Sequence, residues 1–144
     1  NKNWTEIAEF SWSEICYYRK KYSRMYRVCR QKNSVTIPPS LKYMGVAYQI
    51  TSIKTKAFSG NKNLRSIVIP SSIRTIGSQA FFKCKNLKKI TIKTPYLSKK
   101  TVGAKAFKGI HAKAKIKVQV PKKQKKAYQK LLKAKGAGKK VTIK

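Results

Sequence analysis

One phrase is written three times in the chain. Ala57-Phe58, Ala80-Phe81 and Ala106-Phe107 each precede an apolar alternation at a fixed distance. Leu64, Ile67 and Ile69 follow Phe58 at plus 6, plus 9 and plus 11, and Leu87, Ile90 and Ile92 follow Phe81 at the same offsets. The third copy keeps Phe107, Ile116 and Val118 but carries Lys113 in place of the leucine, and Ile53, Ile76 and Val102 recur upstream of the three phenylalanines. The steps between phenylalanines are 23 and 26 residues. A unit of that length cannot bury its own apolar face, so stacking of neighbouring units has to supply the core. Along each strand the side chains alternate between two faces. Ile67/Ile69, Ile90/Ile92 and Ile116/Val118 therefore point inward, and Val68, Thr91 and Lys117 lie on the opposite, exposed face. The expected fold class is a β-rich α/β solenoid with one short parallel sheet in which Ile67, Ile90 and Ile116 are neighbours. The repeated phenylalanines stack in the other half of the coil.

The flanks continue this plan. Val35-Thr36-Ile37-Pro38 has the form of a degenerate first strand, and the stretch from Met44 to Ile50 is expected to be a hairpin turning at Gly45 that seeds the sheet. Pro121 is placed to open a helix from Lys122 to about Lys135, with Ala127, Tyr128, Leu131 and Leu132 as its apolar stripe and Gly136 as its stop. Val141-Thr142-Ile143 then supplies a closing strand. Between Trp4 and Gln31 the apolar residues Ile7, Phe10, Ile15, Tyr18, Tyr22, Met25 and Val28 are spaced for one or two helices, a cap over residues 1–33. The length suits a single repeat domain over residues 34–144.

The middle copy carries Ile73, Ile76-Gly77, Ala80-Phe81, Cys84, Leu87, Ile90 and Ile92 in the order I-x-x-I-G-x-x-A-F-x-x-C-x-x-L-x-x-I-x-I. It resembles the BspA-like (Treponema-type) leucine-rich repeats of bacterial surface proteins. The likeness extends over residues 34–144, and residues 1–33 match nothing in that pattern. Thr94 departs from the family's usual residue near the strand end, whereas Pro70 follows the first strand as the family's proline does. The resemblance implies a right-handed leucine-rich-repeat coil with a C-terminal capping helix and strand at about 122–144. It also implies a surface or secreted location, a monomeric module within a longer chain, and a non-enzymatic role in attachment to host matrix, other cells or the envelope. No cofactor is implied.

Charge narrows the chemistry further. The three acids, Glu6, Glu9 and Glu14, all lie in the first 14 residues, and 35 of the 36 Lys and Arg residues lie after them. The repeats thus cannot hold a carboxylate pair for acid/base catalysis or a carboxylate cage for calcium or magnesium. His111 has no acid to orient it and is expected to be a solvated loop residue. Without a His/Asp base pair, no serine or threonine becomes a nucleophile. Cys84, inside the best-preserved repeat, is expected to be buried and unbonded. Cys16 and Cys29 fit either a disulfide or two free thiols. No run approaches the roughly 18 apolar residues of a membrane span.

A net charge of +33 on 144 residues predicts anionic partners. The candidate polyanion-binding residues are Arg19, Lys20 and Lys21, then Lys99 and Lys100, then Lys122, Lys123, Lys125 and Lys126. Lysine is a hydrated point charge rather than a bidentate fork, and its predominance beyond the N-terminal segment favours diffuse adhesion to a protein, an anionic glycan or a cell-wall polymer. The alternative is a nucleic-acid binder that does not read sequence, in which Tyr17, Tyr18, Tyr22 and Tyr26 stack on bases beside the arginines of residues 19–30. Basicity converging on one aromatic-lined groove would favour nucleic acid, and basicity spread around the coil would favour adhesion.

Overall fold

The computed structural model describes residues 33–43 and 46–144. The N-terminal helices, the pairing of Cys16 and Cys29, and the Gly45 turn lie outside the described residues.

Five strands form one parallel sheet in the order β1 (Ser34–Thr36), β5 (Ser66–Ile69), β7 (Lys89–Ile92), β8 (Lys115–Val118) and β9 (Thr142–Ile143). The expected isoleucine ladder is present, with Ile67 opposite Ile90 and Ile90 opposite Ile116, and it continues to Val35 at one end and Ile143 at the other. Each inward residue meets its equivalent in the next repeat because the unit keeps the same offsets, so one register serves the whole sheet. Ile67, Ile69, Ile90, Ile92 and Ile116 are all buried, whereas Val68, Thr91 and Lys117 face outward. A second, narrower parallel ladder runs alongside. It joins β4 (Ser52–Ile53) to β6 (Thr75–Ile76), and Ile76 to Val102, which are the aliphatic residues found upstream of each phenylalanine.

The phenylalanines form the third column. Phe58 and Phe81 stack with ring centroids 5.3 Å apart and planes 6° from parallel, and Phe81 and Phe107 stack at 5.4 Å and 15°. That separation is close to the roughly 4.8 Å between hydrogen-bonded strands, so the rings stack at the spacing the backbone imposes. The backbone around them is also laddered: the amides of Phe58 and Phe81 donate to the carbonyls of Ala80 and Ala106 at 2.8 Å each. Phe107 finds the next acceptor in Lys135, at the end of the C-terminal helix, so the helix terminus takes the place of another repeat.

Close approach of successive units fixes two glycines. A methyl group on Gly77 would lie 2.2 Å from the Thr55 amide nitrogen, and one on Gly103 would lie 2.2 Å from that of Ser78. Both are backbone atoms that cannot swing aside. Each glycine follows the aliphatic residue of the narrow ladder, where any side chain would wedge adjacent units apart.

Helix α1 (Lys122–Ala134) buries Tyr128, Leu131 and Leu132, and Gly136 ends it in the left-handed region at φ +106°. Ala127 does not join that stripe and is exposed. Successive helical residues are rotated by about 100°, which places position 127 well off the face centred between Leu131 and Leu132. The hairpin also departs from expectation. β2 (Ser40–Tyr43) and β3 (Val46–Gln49) pair antiparallel as a sheet of their own and do not seed the parallel one. Inward strand positions are already taken by one segment per repeat, so the extra residues between Ile37 and Ile53 pair with each other outside the parallel sheet. In the third repeat Lys113 is exposed, while Ile110 and Ala114 on either side of it in sequence are buried.

These columns give ordered stability costs. Truncating Phe81 to alanine, which removes both ring contacts, should lower the free energy of unfolding by about 3 to 5 kcal/mol. Gly77→Ala should cost about 3 kcal/mol by overpacking, and Phe58→Ala should cost less than Phe81→Ala because Phe58 has one stacking partner among the described residues. Urea unfolding of the three variants at constant salt measures the order. Equal costs for Phe58 and Phe81 would contradict the stacking account.

Candidate polyanion-binding surface

Outward strand positions carry the first group of charges. Across the sheet one row reads Ser34, Ser66, Lys89, Lys115 and Thr142, and the next reads Thr36, Val68, Thr91 and Lys117. Hydroxyls occupy the β1 and β5 end, where the Ser66 hydroxyl donates to that of Ser34 at 2.7 Å, and lysines occupy the β7 and β8 end.

The candidate lysines that fall on described residues lie on a different side, beyond the C-terminal ends of the strands. Lys99 and Lys100 sit in an exposed turn after β7, and Lys122, Lys123, Lys125 and Lys126 are exposed in the first turns of α1. One buried hydroxyl joins the two groups. Tyr128 of the helix donates to the Thr94 carbonyl at 2.6 Å and accepts the Leu97 amide at 3.0 Å, which holds the loop carrying Lys99 and Lys100 against the helix. Burial raises the Tyr128 pKa above the ordinary phenol value, opposed by the Leu97 amide. The helix start has no side-chain cap and no acid in its first turn, so its unpaired amides and its lysines present positive charge together. Arg19, Lys20 and Lys21 lie outside the described residues, so nothing places them with the other candidates.

The remaining cations are spread over other parts of the described surface. Lys54, Lys56, Lys83, Lys105 and Lys108 line the phenylalanine turns, and Lys62, Lys85, Lys88, Lys113, Lys139 and Lys140 lie near the N-terminal ends of the strands. Every lysine from Lys54 to Lys144 is exposed except the half-buried Lys135. No carboxylate side chain exists between Ile15 and Lys144 to pair with any of them. Among the described residues these charges are spread over several elements and do not converge on an aromatic-lined groove.

Sequence reasoning missed one pair. Tyr96 is a large aromatic residue at 51% exposure, and the Arg74 guanidinium lies over its ring 4.4 Å from the centroid. A signal was present in the spacing: the third phenylalanine lies 26 residues after the second instead of 23, and the three additional residues fall in the loop that bears Tyr96.

The remaining candidates are placed as follows. Cys84 is fully buried and unbonded, its thiol donating to the Phe58 carbonyl at 2.9 Å. Burial pushes its pKa up to about 11, with the Asn61 backbone opposing. The thiolate that would act as a nucleophile is therefore disfavoured. His111 is half-buried, and its Nδ1 accepts the Lys113 amide at 3.1 Å. Among the described residues no three His, Cys, Asp or Glu side chains come together. None of their helices is long and apolar enough to cross a membrane.

The family model for the BspA type leucine rich repeat region matches residues 22–134 in six copies. The chain belongs to that family. The match reaches back into the segment before the first strand and stops at the end of α1, short of β9. A leucine rich cell surface protein from Faecalibacterium prausnitzii is similar at 24% identity and a TM-score of 0.49, over 61% of this chain and 26% of that one. A leucine-rich repeat protein from Bacteroides ovatus is similar at 26% identity and a TM-score of 0.46, over 76% of this chain and 29% of that one. One from Bacteroides capillosus shares 18% identity at a TM-score of 0.46, over 78% of each chain. The chain thus spans under a third of the length of the first two. A search of curated proteins found no match.

The Cys84 environment has a pH signature. A thiol whose folded pKa is raised favours the neutral form, so its contribution to stability is complete below the unfolded pKa near 9.0 and is lost as pH rises through about 11. The stability difference between the native chain and Cys84→Ala should hold up to about pH 9 and then shrink toward pH 11. Taking the difference cancels the alkaline titration of the lysines common to both. A difference that stays flat to pH 11 in urea unfolding, or rapid labelling of Cys84 itself in the folded protein at pH 8, located by peptide mapping, would contradict the buried site.

Proposed function

We propose that the chain is a non-enzymatic interaction module of a bacterial surface or secreted protein, binding anionic ligands of the host or the envelope by diffuse electrostatic attraction. The stacked repeats serve as a right-handed coil, closed at its C-terminal end by α1 and β9, within a longer chain. The observation that carries this reading is the exposure of cations on most elements of the described stack, with no acid after Glu14 to neutralise them. A mixed surface of modest net charge would give solubility, so an all-cationic surface calls for a partner that supplies the missing negative charge. Family membership supports the location. The scarcity of residues able to carry acid/base or metal chemistry in the repeats supports the non-enzymatic character. Nucleic acid remains the competing ligand, and the spread of the described lysines over several elements favours adhesion over it.

Binding of this kind is governed by counterion release and by screening over about 8 Å at physiological salt. Affinity for an anionic polymer should fall steeply as ionic strength rises. Replacing any one of Lys122, Lys123, Lys125 or Lys126 with glutamine should weaken binding about twofold or less, and replacing all four should flatten the salt dependence. Titration of an acidic polysaccharide, a matrix protein and single-stranded DNA across a salt series measures this. Abolition of binding by one lysine substitution, with a flat salt dependence, would replace the diffuse reading with a specific pocket.

A further inference from the structure

The Arg74 and Tyr96 pair differs from the rest of the basic surface in its geometry. The described residues contain two arginines, Arg65 and Arg74, among many lysines, and Arg74 has its guanidinium stacked on an aromatic face. No hydrogen-bond acceptor among the described residues meets that guanidinium, so its planar fork of donors is oriented and unused. The ring beneath it is also held in place. The Thr94 hydroxyl donates to the Ile73 carbonyl in the preceding repeat and accepts the Tyr96 amide at 3.3 Å. The next residue, Leu97, is fixed by the buried Tyr128 hydroxyl. Two hydroxyls and a helix thus anchor a loop whose aromatic side chain contributes little to the core.

We propose that Arg74 and Tyr96 form a shaped subsite for the acidic sugars of a polysaccharide, with Arg74 taking a carboxylate bidentately and the exposed part of the Tyr96 ring lying against the sugar. This rests on the diffuse polyanion reading and adds to it the element that selects among polyanions. The charge of the occupant follows from a described surface without acidic side chains. Its carboxylate follows from the fork, which matches a planar two-oxygen acceptor better than a lysine ammonium does. Its sugar follows from the apolar ring, which is of no use to a bare anion. Lys99 and Lys100, a few residues along the same loop, supply attraction without selectivity.

The test uses the full chain, the variants Arg74→Lys, Tyr96→Ala and Tyr96→Phe, and three probes at matched ionic strength: polygalacturonate, inorganic polyphosphate and oligothymidine. Arg74→Lys keeps the charge and removes the fork. That variant and Tyr96→Ala should each weaken polygalacturonate binding about tenfold while leaving polyphosphate binding within about twofold and the salt slope unchanged, and Tyr96→Phe should bind like the native chain. Thermal unfolding of each variant, expected to match the native chain because both side chains are exposed, separates lost binding from lost folding. Equal weakening for polygalacturonate and polyphosphate, no weakening for either, or weakening confined to oligothymidine overturns the subsite alone. If the native chain binds none of the three at low salt, the diffuse reading falls and the subsite falls with it.

Discussion

Hydrogen bonding between successive parallel strands sets a single spacing, roughly 4.8 Å, to which every other feature of the fold conforms. The isoleucine column on β5, β7 and β8 repeats at that spacing, as do the narrow ladder through Ile53, Ile76 and Val102 and the stack of Phe58, Phe81 and Phe107. Gly77 and Gly103 are the consequence of this spacing in the corner where backbones meet, since no side chain fits there. The same logic accounts for residues in the left-handed region at matching places. Lys56, Gln79 and Lys105 all have φ between +55° and +58° two residues before their phenylalanines. Two residues after them stand Gly60, Lys83 and Gly109, also at positive φ. The turn is imposed by the stack and is adopted even by lysine, at a cost of about 1 kcal/mol or more.

Because the stack is held by apolar columns and backbone ladders, it does not depend on ion pairs. That independence allows the extreme composition. Lysine can occupy outward positions on most elements of the described stack, including Lys89, Lys115 and Lys117 on the sheet face, without disturbing an inward residue. The penalty is long-range repulsion, which salt or a bound polyanion relieves. Stability and binding are therefore linked: an anionic ligand that neutralises the surface also stabilises the fold that displays it.

The parts of the fold legible in the sequence are those fixed by repetition. Three copies at constant offsets determine which residues are inward and which strands are neighbours, so the ladder from Ile67 to Ile116 and the burial of Cys84 follow directly. Features that occur once were harder to place. Alternation shows that a segment is a strand and does not show which strand it pairs with, so the separation of the hairpin from the parallel sheet is not legible in the sequence. Ala127 reads as part of the helix stripe because it lies one turn before Leu131, yet the buried face centres between Leu131 and Leu132 and leaves it exposed. For the candidate surface, lysine clusters in sequence identified charge but not arrangement. It took the Tyr128 hydroxyl, donating across 34 residues to Thr94, to bring the loop of Lys99 and Lys100 beside the helix of Lys122 to Lys126.

Variation in repeat length indicates where such a module can acquire a specific function. From the last inward strand residue to the aliphatic residue of the narrow ladder, the chain places 6 residues between Ile69 and Ile76, 9 between Ile92 and Val102, and 15 between Ile37 and Ile53. Only that connection, leaving the C-terminal ends of the strands, absorbs insertions, because the turn on the phenylalanine side is locked by the ring stack and its carbonyl ladder. The shortest version makes a tight turn, the intermediate one carries Tyr96, and the longest one carries the hairpin of β2 and β3. Arg74 projects from the short connection onto the ring of the intermediate one, so the pair exists only because a short loop and a longer one are adjacent in the stack. Lysines can be distributed anywhere on such a scaffold, but an oriented fork over an aromatic ring requires this difference in length between neighbours.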